Sequence, residues 1–140
     1  MLAHKTMAVS KDNPELLQEL LADLQHDLGK YLRMPLSFLP PDAPYEDVHK
    51  ALRKALLCTR ETPNGVRNAR GIWAAFCADA RPALEHQPLF VELERAVARA
   101  LLWEDAAQAP PAPLPRPALE ADLQAVTPAI RALLNALRAN

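Results

Sequence analysis

Between Pro14 and Tyr31 the apolar residues Leu17, Leu21, Leu24, Leu28 and Tyr31 follow one another at intervals of 4, 3, 4 and 3. At 3.6 residues per turn these positions form one helical stripe, whereas on a strand they scatter over both faces. Leu16, Leu20 and Leu32 widen the stripe. Asn13-Pro14-Glu15 supplies a capping side chain, a proline at the first helical position and an acid in the positive first turn. A helix therefore opens at Pro14 and is expected to end at Pro35, followed by a loop over 35–43. The whole chain shares this bias. Across 140 residues, 26 Ala and 24 Leu stand against 6 Val and 2 Ile, which excludes a β-sandwich or a parallel sheet. Only 3 Gly accompany 14 Pro, so proline punctuates the backbone and phosphate-cradling glycine loops are missing.

The proline signals place the later elements. A second helix is expected from Pro44 to Thr59, with Tyr45, Val48, Leu52 and Ala55 on one face and Leu56 beside them. Thr62-Pro63 repeats the start signal for a third, striped by Val66, Ala69, Trp73, Phe76 and Ala80 and kinked or ended at Pro82. Pro88 begins a fourth, in which Leu89, Leu93, Val97 and Ala100 line one side. Residues 106–117 hold five prolines in twelve positions, a polyproline spacer that no helix continues through. Beyond it Leu119, Leu123, Val126, Ile130, Leu133 and Leu137 return to 4-3 spacing, interrupted at Thr127-Pro128. The expected architecture is all-α: a four- to five-helix bundle over 1–105, a linker over 106–117 and an amphipathic helical tail over 118–140. The tail's apolar face must be covered by its own bundle, a second copy or a partner's groove.

Sixteen basic and seventeen acidic residues give a formal charge of −1, which provides no global field for nucleic acid or an anionic membrane. No apolar run reaches membrane-spanning length, and the polar start MLAHKTMAVSKDN makes no signal-peptide core. A cytoplasmic location is expected. Cys58 and Cys77 lie in expected helices without zinc spacing and read as buried free thiols. The cluster Lys50, Arg53, Lys54, Arg60, Arg67 and Arg70 reads as a solvated face, Trp73 and Trp103 as core, and no cofactor is implied.

One stretch carries a chemical signal, Gln25-His26-Asp27-Leu28-Gly29-Lys30-Tyr31. With the leucines at heptad positions a and d, His26 falls at f, pointing to water, with Glu19 and Arg33 at the equivalent positions one heptad away. Gly29 is expected to open the surface beside it, and Lys30 places an ammonium one turn on. An exposed imidazole with such neighbours suits a phosphoryl group. His26, Leu28, Gly29 and Lys30 resemble the histidine phosphotransfer pattern His-x-Leu-Lys-Gly with its last two residues exchanged, and His26-Asp27-Leu28 resembles the phosphoacceptor box of histidine kinases. The resemblance implies an exposed phosphoacceptor histidine on a helical bundle, exchanging phosphate with a response regulator. The second glycine, the kinase box proline and an ATP-binding domain are missing, so autophosphorylation is not implied.

The same string is similar to the histidine-aspartate core of the HD phosphohydrolase superfamily, which implies a divalent metal on His26 and Asp27, with His4 and Asp79 as formal further ligands. The reading preferred from sequence is non-catalytic: a bacterial cytoplasmic signalling adaptor that binds a response regulator, kinase or small GTPase, or a second copy of itself. Its expected contact surfaces are the tail residues Leu119, Leu123, Val126, Ile130, Leu133 and Leu137 and the His26 face with Gly29 and Lys30.

Overall fold

In the computed structural model, residues 13–62 and 65–139 are described. The first apolar stripe forms a single rod built from helix α1 (Pro14–Leu24), a π-helical turn (Gln25–Gly29) and helix α2 (Lys30–Ser37). Asn13 caps it, its side-chain oxygen accepting from the Leu16 amide at 3.2 Å. The π turn has a clear packing reason. Each i to i+4 step in an α-helix overshoots a full turn by about 40°, whereas a turn closed by i to i+5 hydrogen bonds is wider and undershoots it. Inserting one cancels part of the drift, so that Leu24, Leu28, Leu32 and Leu36, each four residues from the last, are all buried.

Helix α3 (Tyr45–Leu56) packs on α2. It leads into strands β1 (Arg60–Thr62) and β2 (Gly65–Arg67), antiparallel with Thr62 opposite Gly65. This small hairpin replaces the expected helix start at Thr62-Pro63. Gly65 opens the second strand with a φ of 114° that other residues avoid. Helix α4 (Ala69–Leu84) begins instead at Asn68, whose side chain accepts from the Gly71 amide at 2.9 Å. Helix α5 (Pro88–Leu101) starts at its expected proline, and the short helix α6 (Glu104–Gln108), α7 (Arg116–Gln124) and α8 (Val126–Ala139) complete the chain. The fold is all-α and bundle-like.

Neither Pro35 nor Pro82 ends its helix on the spot. Each helix continues for two residues, a length at which little hydrogen bonding remains for the missing N–H to interrupt. Cys58 lies just beyond α3 and is exposed, and Cys77 on α4 is half-buried, so neither is the buried helical thiol expected. Burial raises the Cys77 thiol above its ordinary 9.0, with Arg81 pulling the other way.

The proline segment and tail belong to the bundle. Residues 106–108 are the end of α6, and the chain then runs extended to α7. His49, buried on α3, turns its Nε2 to the carbonyls of Ala106 at 3.1 Å and Ala109 at 2.8 Å, and Arg53 donates to Ala107 O at 3.0 Å. These are terminal carbonyls of α6 that lack partners within the helix. At the far end Arg116 donates to the carbonyls of Pro40 and Leu39. The spacer is thus a strap fastened at both ends. Trp103 adds a further tie, its indole N–H donating to Asp122 on α7 at 2.8 Å.

Helix α8 packs on α5 and α1, and α7 on α2 and α5. Leu119, Leu123, Val126, Ile130 and Leu133 are all 0% exposed and Leu137 is half-buried against the same core. The tail face offered to a partner in the sequence reading is covered by the chain's own bundle. One continuous apolar cluster runs from Leu17 to Leu134, so the three segments 1–105, 106–117 and 118–140 share a core.

Candidate functional site

Gly29 lies where the rod meets α8, and it is buried rather than opening the surface. A Cβ at Gly29 would stand 2.6 Å from Thr127 Oγ1 and 3.6 Å from Thr127 Cβ. The missing side chain therefore lets the first turn of α8 sit against the π turn. Helix α8 packs on α1 and on the π turn. Around this approach polar side chains of the rod and of α8 line an open groove of about 520 Å³. His26, Lys30 and Arg33 supply one wall; Arg131, Asn135 and Arg138 supply the other.

Among the described residues the groove is cationic and no carboxylate lines it. Lys30, Arg33, Arg131 and Arg138 are exposed and make no side-chain ion pair or hydrogen bond among the described residues. Arg70, Arg81, Arg95 and Arg116 elsewhere each hold a carboxylate, from Glu104, Glu94, Glu92 and Glu120 respectively. Like charges gathered on one surface repel one another and lower stability. Folding alone gives no reason to collect them there. Thr127, 5% exposed, lines the same groove, and its hydroxyl has no hydrogen-bond partner among the described residues.

The π turn also separates the two residues of the His-Asp doublet. The His26 side chain is 72% exposed, as expected, whereas that of Asp27 is only 15% exposed. His26 Nδ1 lies 3.1 Å from Asp27 Oδ1. With Nδ1–H donating to this carboxylate, Nε2 keeps its lone pair, the tautomer a nucleophilic imidazole requires.

Asp27 itself lines a small cavity of about 50 Å³ on the other side of the rod, together with Asp23, Asp79 and Arg67. Burial holds the Asp79 carboxyl above its ordinary 3.8, and the Arg67 charge opposes the shift. A carboxyl whose pKa is higher in the folded than in the unfolded chain favours folding when protonated and loses that contribution as pH rises through the folded value. Asp79→Asn is therefore expected to raise the urea midpoint near neutral pH and to leave it unchanged below pH 3.8, where both states of the parent are protonated. A variant less stable than the parent at neutral pH would show that the Arg67 attraction outweighs desolvation.

Among the described residues no group of three or more His, Cys, Asp or Glu side chains is placed to hold a metal ion. Among the described residues His26 and Asp27 are thus not joined by further ligands such as the phosphohydrolase resemblance implies; His4 lies outside the described residues. Lys30 joins His26 in the groove as expected; Gly29 acts from beneath. The Lys50 to Arg70 cluster disperses: Arg53 is spent on Ala107 and Arg70 on Glu104, at 2.6 Å. Arg131 and Arg138 are the site residues that sequence reasoning missed. Their signal was a spacing of seven residues within the apolar tail, the same interval that separates His26 from Arg33. No helix among the described residues is long and apolar enough to cross a membrane. Compared with protein-family models, with curated proteins and with solved structures, the chain matches none.

Proposed function

We propose that the chain is a non-catalytic regulatory adaptor that acts by protein–protein contact, and that its recognition surface is the groove between the α1–α2 rod and α8. The observation that carries this reading is the convergence on one groove of four cations and an exposed imidazole, with no carboxylate and no ion pair of those cations among the described residues. Such a surface suits an anionic partner: the charge steers encounter and sets specificity, and the rigid helices hold the side chains in place. The exposed free thiol of Cys58 fits a reducing, cytoplasmic setting.

The reading is tested by capturing partners with the full chain and with Lys30→Glu/Arg33→Glu, substitutions on exposed positions that leave the core untouched. Loss of the partners captured by the parent, with the helical spectrum retained, is the expected result. An unchanged set of partners removes the groove from recognition.

A second reading is favoured by the His26–Asp27 geometry: a phosphoacceptor at His26. The Nε2 lone pair would attack the phosphorus of an aspartyl phosphate on a response regulator, forming the P–N bond as the P–O bond breaks and the carboxylate leaves. Lys30 and Arg131 stand in the same groove to balance the transferred charge. Acid-labile phosphate appearing on the parent and not on His26→Ala is the expected mark of this chemistry; equal labelling of the two chains removes it.

A further inference from the structure

We infer that the groove takes an acidic helix of a partner protein, with carboxylates spaced i, i+4 and i+7 along one face. The inference rests on the reading of the groove as a recognition surface and names its occupant. Each wall of the groove is itself a helical row. His26, Lys30 and Arg33 occupy positions i, i+4 and i+7 of the rod, and Arg131, Asn135 and Arg138 occupy the same positions of α8. The α8 row spans about 10 Å at 1.5 Å per residue, with Arg131 and Arg138 as its charges and Asn135 between them, while Lys30 and Arg33 are the charges of the rod's row.

Carboxylates at i, i+4 and i+7 on an approaching helix have that same interval, with neighbours about 5–6 Å apart. On α8 the outer carboxylates then meet Arg131 and Arg138 and the middle one accepts from the Asn135 amide, without distortion of either backbone. Arginine contributes further, because its planar fork accepts a carboxylate in two parallel hydrogen bonds. A second feature argues for a localised acidic segment over a long polyanion. The chain as a whole carries a formal charge of −1, and the rod that supplies one wall is acidic beyond it, with Glu15, Glu19 and Asp23 on α1. An extended nucleic acid would meet that repulsion past the end of the groove, whereas two helical turns would not.

The occupant is read with two blocked alanine-based peptides of about four turns, identical in composition. In one the glutamates lie on a single face at i, i+4 and i+7; in the other they are distributed around the helix. Each is titrated into the full chain by fluorescence anisotropy, at low and at physiological salt. The facial peptide is expected to bind at least about tenfold more tightly than its isomer and to weaken as salt rises. Arg131→Gln/Arg138→Gln, with its helical spectrum unchanged, is expected to remove that preference.

Equal binding of the two isomers, or no binding of either, overturns the inference. Tighter binding of tripolyphosphate or of a single-stranded oligonucleotide than of the facial peptide also overturns it, and assigns the groove to phosphate. The two failures are distinguishable. If Lys30→Glu/Arg33→Glu loses its captured partners while the peptides show no facial preference, recognition by the groove stands and the helical occupant falls. If capture is unchanged, the recognition surface itself is wrong.

Discussion

A chain ending at Pro117 is expected to lose its cooperative thermal transition and to expose apolar surface. The deletion removes Leu119, Leu123, Val126, Ile130 and Leu133, all without solvent exposure in the fold. It also uncovers the faces of α1, α2 and α5 on which α7 and α8 rest. Truncating a single buried leucine or isoleucine to alanine costs about 2–5 kcal/mol, while the whole stability of a domain this size is about 5–15 kcal/mol. Five such losses exceed what the remaining chain has to lose. Calorimetry on the truncated chain, with dye binding as a measure of exposed apolar surface, checks the result. A sharp transition close to that of the parent would mean that residues 1–117 hold a core of their own. The same consideration governs any functional use of the deletion: loss of a partner on removing the tail would report unfolding, which is why the groove is tested by surface substitutions.

Gly29→Ala is expected to destabilise the chain by up to about 2 kcal/mol, although alanine is the better helix former by about 1 kcal/mol. The added methyl would meet Thr127 Oγ1 at 2.6 Å. Thr127 lies in a helix, where its χ1 has two favoured wells, so relief requires a change of rotamer or a backbone shift. The conflict must push α8 away from the π turn or force a poor rotamer, and overpacking of this kind costs about 1–3 kcal/mol. The Thr127→Ala background isolates the cause. There the new methyl finds only a Cβ at 3.6 Å, an ordinary contact, and helix propensity should decide the sign, making Gly29→Ala neutral or stabilising. Urea denaturation of the four chains gives the coupling energy directly. An equal loss in both backgrounds would show that the close approach to Thr127 is not what selects glycine. Because α8 carries Arg131 and Arg138, the same substitution is expected to weaken the groove as well as the fold.

Much of the fold was legible because burial is periodic. The stripe Leu17, Leu21, Leu24, Leu28 and Tyr31 is buried as its spacing demands, and Asn13 caps the helix its type and position announce. Leu93, Val97 and Ala100 on α5 follow the same rule. The π turn was not legible: on a uniform α-helix Leu24, Leu28, Leu32 and Leu36 drift by about 120°, within reach of a wide apolar stripe, and the widening that turns all four inward is an outcome of packing. The hairpin was not legible: Thr62-Pro63 reads as a helix start, and the pairing of Thr62 with Gly65 overrides it. His26 was legible as exposed, since its position opposite the leucines decides that locally.

What the groove contains was not. Arg131 and Arg138 stand about a hundred residues from His26, and no local pattern says which helix faces which. His49 likewise has an unremarkable place in the sequence, and its role as the buried donor to the carbonyls of Ala106 and Ala109 exists only because the strap returns to α3.

The sequence by itself determined that the chain is helical, where most helices begin, which side chains turn inward and that His26 stays wet, because each depends on neighbours within a turn or two. The tertiary structure alone decided that the tail lies on its own bundle, that Gly29 serves a helix contact instead of an open surface, and that two rows of cations share one groove. Those outcomes depend on which apolar faces meet, a choice made by shape and close packing between segments distant in the chain.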